Sequence, residues 1–251
     1  MIDLSWGELL IIVAALAAGG LTKGLTGLGL PMVAIPIMAS SLGVERAVLT
    51  MIMPILVLNI WQTLTHWDCR HDVPELSRVL LWGLPGAAVG AGVLYLASDR
   101  ILATILALWI AAYLLLRLMH PEFSLSSAAR HRYSPAVGVA AGALQAATGI
   151  SAPVVASYLD ALGLRPRSYV FAVAAIFAIL AGAHGIILLG LRAYPLERLA
   201  ESTLAVIPAL LLVPLGTRLR AYLSPRLFGV VIRLLLLVMA VRLVYGAWLA
   251  G

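Results

Sequence analysis

The feature that most constrains this chain is a glycine-rich interruption that occurs twice, each time inside a long apolar stretch. The first runs from Gly20 to Pro31 and the second from Gly142 to Pro153, so a shift of 122 residues superimposes them. The same shift pairs Lys23 with Gln145, Thr26 with Thr148 and Gly27 with Gly149. Matched interruptions in the two halves of a membrane protein are the best sequence indication of a transporter binding site.

Composition places the chain in a membrane. Of its 251 residues, 63% are hydrophobic and only 11% are charged, and the mean hydropathy is +1.05. A soluble domain with this balance could not cover its own surface with polar groups. Because open sheets are not stable in lipid, we predict an all-α polytopic membrane protein. Its apolar segments lie at 7–22, 31–40, 46–66, 77–97, 101–119, 135–147, 153–162, 167–190, 198–217 and 226–249.

The similarity between the two halves extends beyond the interruptions. We therefore predict a first transmembrane repeat at 1–119, a linker at 120–134 and a second repeat at 135–251. A chance recurrence of small and apolar residues is the alternative. The further matches are Leu42-Gly43 with Leu162-Gly163, Gly90 with Gly216, and Ser98-Asp-Arg100 with Ser224-Pro-Arg226.

The length of the broken segments predicts how each repeat crosses the membrane. Residues 7–40 are too long for one upright helix and too short for two full crossings. Each repeat is therefore predicted to be a broken, re-entrant helical hairpin plus three transmembrane helices. Since three is an odd number of crossings, the two repeats are expected to be inverted.

The distribution of charge favours this topology. The chain carries 17 basic residues, of which only Lys23 is a lysine, and its net charge is +6. With re-entrant hairpins ten arginines share one face and about five the other, whereas crossing hairpins divide them almost evenly, which the positive-inside rule disfavours. We interpret this charge as positive-inside charge that faces the cytoplasm and anionic lipid, and not as a nucleic-acid site. The ten are Arg70, Arg78, Arg117, Arg130, Arg132, Arg165, Arg167, Arg218, Arg220 and Arg226.

An interrupted helix is suited to binding an anion. The second half-helix begins with backbone N–H groups that have no partner inside the helix, at the positive end of its dipole. Glycine lets a ligand approach the backbone closely, and threonine and serine can add hydroxyl donors. Helix kinking and close packing by small residues are the alternative. The predicted ligands here are Lys23, Thr26, Gly27 and Gly29 in the first break, and Gln145, Thr148, Gly149 and Ser151 in the second.

Four polar residues within apolar sequence are further candidates. Lys23 could pair with the substrate anion, or its side chain could extend to the membrane surface. Asn59 and Gln62 share a helix face and His184 lies within a span, so all three could bind substrate, and His184 could also carry a proton. Hydrogen bonds between helices are the alternative for each. Glu201, near the start of a span, is interpreted as interfacial.

Several classes of function lack a motif. The single cysteine, Cys69, excludes an intramolecular disulfide and a cysteine-rich metal site. We find no cofactor or metal motif and no phosphate-binding loop. An intramembrane enzyme would need a nucleophile and a base, for which Ser151 and His184 are the only pair, so we predict that the chain is not an enzyme.

With these residues in view, the chain resembles the sulfite exporter TauE/SafE family of membrane permeases. The resemblance covers nearly the whole chain, although Leu30-Pro31 and Ser151-Ala-Pro153 stand where the family commonly has a run of glycines. It implies transport of sulfite or an organosulfonate such as sulfoacetate, without a cofactor or metal. The motifs are Gly20-x-x-x-Gly24-x-x-Gly27-x-Gly29, Thr148-Gly149-Ile-Ser-Ala-Pro153 and Leu162-Gly163.

The resulting prediction is a secondary transporter of the inner membrane that moves a small sulfur-containing anion. Alternating access of the two repeats around a site formed by both breaks is the expected mechanism. A transporter or channel for another small organic anion, such as a carboxylate, is the alternative, and a membrane subunit that recruits a partner is another. The predicted partners are the anion and the lipid bilayer. Small residues at 83–92 could pack a homodimer or only a neighbouring helix.

Overall fold

A computed structural model describes residues 5–27, 29–119, 127–219, 222 and 225–248. All secondary structure in these ranges is helical, with one short 3₁₀ helix at Trp67–His71. The prediction of an all-α fold is confirmed. The α-helices are α1 (Trp6–Thr26), α2 (Leu30–Leu42), α3 (Val44–Thr65), α4 (Leu76–Leu96), α5 (Asp99–Met119), α6 (Ser127–Thr148), α7 (Ala152–Ala161), α8 (Pro166–Gly190), α9 (Leu196–Leu204), α10 (Val206–Leu219) and α11 (Pro225–Trp248).

Five helical stretches within the described ranges are long and apolar enough to cross a bilayer, as expected for a polytopic membrane protein. The predicted segment 198–217 divides into α9 and α10, which are separated only by Ala205. α6 begins at Ser127 and so includes the second half of the predicted linker, while 120–126 lie outside the described residues. The five stretches are Trp6–Thr26, Val44–Thr65, Leu76–Leu96, Pro166–Gly190 and Leu196–Leu219.

The chain forms two compact units, each assembled from separate stretches of sequence. Unit 1 comprises Met1–Pro54, Ala97–Met119 and Leu196–Gly251, and in it α1 packs on α2 and α10 while α5 packs on α11. Unit 2 comprises Ile55–Leu96 and His120–Pro195, and in it α4 packs on α6 and α8. The predicted inverted relation of two consecutive repeats stays a prediction.

The first broken segment is a helical hairpin within unit 1. α1 begins with a capping box formed by Ser5 and Glu8. α2 runs back along α1, because Leu30 in the first turn of α2 lies against Gly19 in α1. α3 then begins where α1 begins, since Arg46 in its first turn pairs with Glu8. Both ends of this hairpin therefore lie at the same end of unit 1.

The second broken segment is also a hairpin, within unit 2. The hydroxyl of Tyr158 in α7 donates to the carbonyl of Arg130 at the start of α6, at 3.0 Å, so the chain returns along α6. Pro135 inside α6 has no N–H for the carbonyl of His131. That carbonyl accepts instead from the guanidinium of Arg78, at 3.2 Å, which fastens α4 to α6.

The two hairpins pack on their neighbouring helices through equivalent positions. In both units a glycine of one helix lies against a backbone carbonyl of the other so closely that a Cβ would overlap the oxygen. Contact of this kind lets helix backbones approach closely. In a membrane there is no hydrophobic driving force between helices, and close packing through small residues stabilises their association instead. The pairs are Gly20 with Ala209 and Gly216 with Leu21 in unit 1, and Gly142 with Gly83 and Gly90 with Ala143 in unit 2.

These contacts also assign a role to the small residues at 83–92. Gly86 and Gly90 lie against the backbone of α6, and Gly83 lies against Leu180 in α8. The stripe therefore packs neighbouring helices, which was one of its two predicted roles. The homodimer stays a prediction, and these glycine contacts do not support it.

Candidate functional site

Both breaks use the same backbone geometry. α1 ends at Gly27, with φ of 84°, and α6 ends at Gly149, with φ of 71°. Only glycine adopts this left-handed region without strain. The N–H of Gly27 donates to the carbonyl of Lys23 at 2.7 Å, and that of Gly149 donates to the carbonyl of Gln145 at 2.9 Å. The glycines therefore cap the first half-helix and reverse the chain.

The second half-helix of each break begins in a form that can receive an anion. Pro31 and Pro153 each lie in the first turn, where an N–H is not needed. In the described residues no side chain caps the N-terminus of α2 at Gly29 or of α7 at Ser151. The first-turn N–H groups therefore depend on a group from outside the helix, and the helix dipole favours one that is negative.

The two predicted threonine ligands are used within their own helices. Thr26 donates to the carbonyl of Thr22, and Thr148 donates to the carbonyl of Leu144, each at 2.8 Å. Thr148 also accepts from the N–H of Ile150 at 3.3 Å. These hydroxyls tie the end of the helix to the turn, so donation to a substrate would require them to rotate first.

Lys23 lies in the last turn of α1, and only 3% of its surface is exposed. Its side chain is therefore enclosed by protein and does not extend to the membrane surface. The next residue, Gly24, lies against the backbone of α10 at Val213 and Gly216. A cationic side chain is thus held one helical turn before the first break.

In the second break the matching position holds a neutral hydrogen-bonded pair. Gln145 and Ser151 are 2% and 0% exposed, and the Ser151 hydroxyl donates to Oε1 of Gln145 at 2.7 Å. This bond uses the carbonyl oxygen of Gln145 and not its amide N–H groups. The pair spans the turn and holds the N-terminus of α7 against the end of α6.

The other three predicted ligands lie on α3 and α8, in unit 2. Asn59 is buried, and its amide donates to the carbonyl of Ile55 at 2.7 Å in its own helix. The backbone carbonyl of Gln62 accepts from Nδ1 of the His66 ring at 3.0 Å, and the Gln62 side chain is half-buried. His184 is 2% exposed, and among the described residues its Nε2 is the buried side-chain polar atom without a hydrogen-bond partner.

The eleven predicted ligands thus fall into separate groups. The first break brings together Lys23, Thr26, Gly27 and Gly29 in unit 1. The second brings together Gln145, Thr148, Gly149 and Ser151 in unit 2. The hydroxyl proton of Ser151 goes to Gln145, and no described bond joins it to His184. The described residues also contain no group of three or more metal-ligating side chains.

Sequence reasoning missed a charged cluster in unit 1. Glu201, which was predicted to be interfacial, is only 3% exposed and is enclosed by protein. Its carboxylate accepts from Arg46 at 3.2 Å, from Arg198 at 2.6 Å and from the hydroxyl of Thr50 at 2.7 Å. Arg46 also pairs with Glu8. The cluster fastens α9 to α1 and α3. Arg198 and Glu201 are one helical turn apart, but no local pattern in the sequence brings them to the other three positions.

Next to this cluster, a serine repairs an interruption in α3. Pro54 cannot donate to the carbonyl of Thr50. The hydroxyl of Ser202 donates to that carbonyl at 3.0 Å and accepts from the N–H of Met53, also at 3.0 Å. Pro54 was the one sequence signal of this contact, because the backbone groups that a proline leaves unpaired within its helix need a partner from elsewhere.

Comparison with known proteins identifies the family. No curated protein and no solved structure matches the chain. The profile described as "Sulfite exporter TauE/SafE" matches residues 11–243, a range that includes both breaks and all eleven predicted ligands. The chain therefore belongs to the TauE/SafE sulfite exporter family of membrane permeases.

Proposed function

We propose that the protein is a secondary transporter for a small sulfur oxyanion, either sulfite or an organosulfonate such as sulfoacetate. The family supports a permease for sulfur-containing anions. The observation that carries the finer proposal is the buried Lys23 one turn before a glycine-capped helix break. A buried cation inside a membrane protein is costly and marks a substrate pathway by default.

The chemistry of both breaks suits a compact oxyanion. The N-terminus of α2 offers backbone N–H groups and a positive dipole close to a lysine. The N-terminus of α7 offers the same groups beside the amide N–H groups of Gln145. Several oxygens on one sulfur can accept from many such donors at once. A metal cation would instead need carboxylate or other hard oxygen ligands.

We further propose that transport follows alternating access and that the protein catalyses no reaction. α3 leaves unit 1 at Pro54, a position where a helix can bend because one backbone bond is missing. In this proposal Nε2 of His184, which has no partner among the described residues, either takes up a proton or donates a hydrogen bond to a substrate oxygen. The proposed location is the inner membrane, with the arginine-rich ends of the helices on the cytoplasmic side.

Thermal stabilisation by a panel of anions tests the substrate class. The panel holds sulfite, sulfate, sulfoacetate, taurine, isethionate, acetate and phosphate, each added to the purified protein. A ligand that binds only the folded state raises the melting temperature as its concentration exceeds Kd. We expect a rise with sulfite or a sulfonate and none with acetate. A rise with carboxylates alone would replace the sulfur anion with the alternative substrate class.

Flux into liposomes tests the mechanism with the same anions. A transporter gives a rate that saturates with substrate concentration and allows exchange of labelled for unlabelled anion. Flux that rises without saturation and follows voltage steeply would indicate a channel and would overturn alternating access.

A further inference from the structure

A groove in unit 2 has the form of a lipid site. Its volume is about 680 Å³, within the range of ligand sites in proteins. Apolar side chains from the end of α3, from α4 and from α8 form its walls, among them Ile60, Leu80 and Ile179. Leu64, which also lines it, is 65% exposed, as a residue that faces hydrocarbon would be. This wall suits an acyl chain.

The polar end of the groove is rigid. Trp67 lines the groove and meets Phe171 edge to face, with ring centroids 6.1 Å apart. Phe171 packs in turn against Cys69 and Ala175 in a small apolar core. The guanidinium of Arg70 lies 5.9 Å from the Trp67 ring, and it donates to the Trp67 carbonyl at 3.3 Å. A tryptophan and an arginine are therefore held together where the apolar wall ends.

Charge around this end favours an anion. Arg70 makes no ion pair in the part of the chain that the structure describes. Two nearby carboxylates have other partners, because Asp68 pairs with Arg167 and Asp72 accepts from the hydroxyl of Ser168. The guanidinium has five N–H donors in a planar fork that matches a phosphate. One arginine at the mouth of an apolar groove is thus available to a ligand with an anionic head.

The same end of unit 2 is rich in arginine. Arg78 joins α4 to the start of α6, Tyr158 joins α7 to it, and Arg167 joins α8 to the 3₁₀ helix. These contacts bring six arginines to one end, as expected for a cytoplasmic surface that attracts anionic lipids. The six are Arg70, Arg78, Arg130, Arg132, Arg165 and Arg167.

We propose that this groove binds an anionic phospholipid, with one acyl chain along the apolar wall and the phosphate on Arg70 at the Trp67 end. The tryptophan lies at the level of the headgroups, where amphipathic rings are enriched. The site is separate from the two helix breaks and does not depend on which anion the protein transports. It would select lipids by net charge, because the positive choline group of a zwitterionic lipid offsets the phosphate charge that Arg70 binds.

Quenching of tryptophan fluorescence by lipid with brominated acyl chains tests the proposal. The full-length protein in detergent is titrated with brominated phosphatidylglycerol and with phosphatidylcholine of the same chains. Trp67→Phe, which keeps the ring packing, identifies the Trp67 signal among the six tryptophans. We expect phosphatidylglycerol to quench Trp67 at lower concentration than phosphatidylcholine. Equal quenching by both lipids would overturn selection by charge.

Two variants and one competitor complete the test. Arg70→Gln is expected to raise the phosphatidylglycerol concentration needed for half-maximal quenching about fivefold. Arg165 is exposed at the same end but lies outside the groove, so Arg165→Gln should leave this concentration unchanged. Ala178→Phe, which fills the wall, is expected to abolish quenching by both lipids. An unchanged response in Arg70→Gln would overturn the proposal. Displacement of the lipid by sulfoacetate would also overturn the proposal. A cross-link at Trp67 that joins two copies of the chain would overturn it as well.

Discussion

The two helix breaks share a backbone but differ in the polar side chains that they enclose. Both end in a left-handed glycine, both tie a threonine to the preceding turn at the same distance, and both resume with a proline in the first turn. The first encloses Lys23, whereas the second encloses the bonded pair of Gln145 and Ser151. The two breaks thus share one backbone frame, and their chemistry differs at two positions, which hold Lys23 and Gly29 in the first break and Gln145 and Ser151 in the second.

Those two positions are linked by packing. At Gly29, which matches Ser151, an added Cβ would overlap the methyl group of Thr22. The first break therefore cannot hold a serine there while Thr22 remains. We infer that the first break contributes charge and the second contributes neutral hydrogen bonds. The following predictions test this division, from the largest expected effect to the smallest.

The largest effect is expected at Lys23. Lys23→Met keeps the length of the side chain and removes its charge, while Gln145→Met removes neutral groups, among them the acceptor of the Ser151 hydroxyl. Loss of one partner from a buried ion pair costs about 3–5 kcal/mol, whereas a neutral hydrogen bond contributes about 1 kcal/mol. Anion affinity should therefore fall more than a hundredfold in Lys23→Met and about fivefold in Gln145→Met.

Thermal-shift titration with the anion that stabilises the wild-type protein measures both affinities. Without anion, Lys23→Met should melt no lower than the wild-type protein, whereas Gln145→Met should melt slightly lower because it loses the bond from Ser151. Both affinities are therefore measured at a temperature at which each variant is folded. Equal losses in Lys23→Met and Gln145→Met would remove the distinction between a charged and a neutral break.

A second prediction concerns the packing that both hairpins share. Gly90→Ala places a methyl group on the carbonyl of Ala143, and Gly216→Ala places one on the carbonyl of Leu21. Forced overpacking costs about 1–3 kcal/mol, so both variants should unfold at lower temperature. Gly92→Ala, also in α4 but with no atom within 4 Å of its added Cβ, is the control. If Gly90→Ala melts like Gly92→Ala, the helices are not in backbone contact.

These examples show how far the sequence predicts the molecule. Gly27 and Gly149 were predictable because a left-handed turn admits few residues, and the helices were predictable because lipid excludes unpaired backbone groups. The burial of Glu201 was not, because two of its three partners, Arg46 and Thr50, come from distant positions. The two compact units were not predictable either, because an apolar surface that faces lipid has the same composition as one that faces protein. The bond between Ser151 and Gln145 depends on a turn whose geometry no periodicity reveals.

A third prediction tests whether the frame itself is equivalent in the two breaks. Gly27→Ala and Gly149→Ala each force a left-handed conformation on a residue with a Cβ, which costs about 1–2 kcal/mol. Their melting temperatures should fall by similar amounts, although no atom lies within 4 Å of a Cβ at Gly27. Gly190→Ala, in α8 with open space around it, should have no such effect. A stable Gly27→Ala would mean that its turn adopts another conformation.

The smallest effect is expected for the hydrogen bond of the second break. Ser151→Ala and Gln145→Ala are compared with the double variant, and the coupling between them should be about 1 kcal/mol, the contribution of one buried neutral bond. The coupling should appear in the melting temperature without anion, because the bond holds the N-terminus of α7 in place. If the coupling is zero without anion and appears only with it, the pair is formed by the ligand, and the second break is assembled by the substrate it binds.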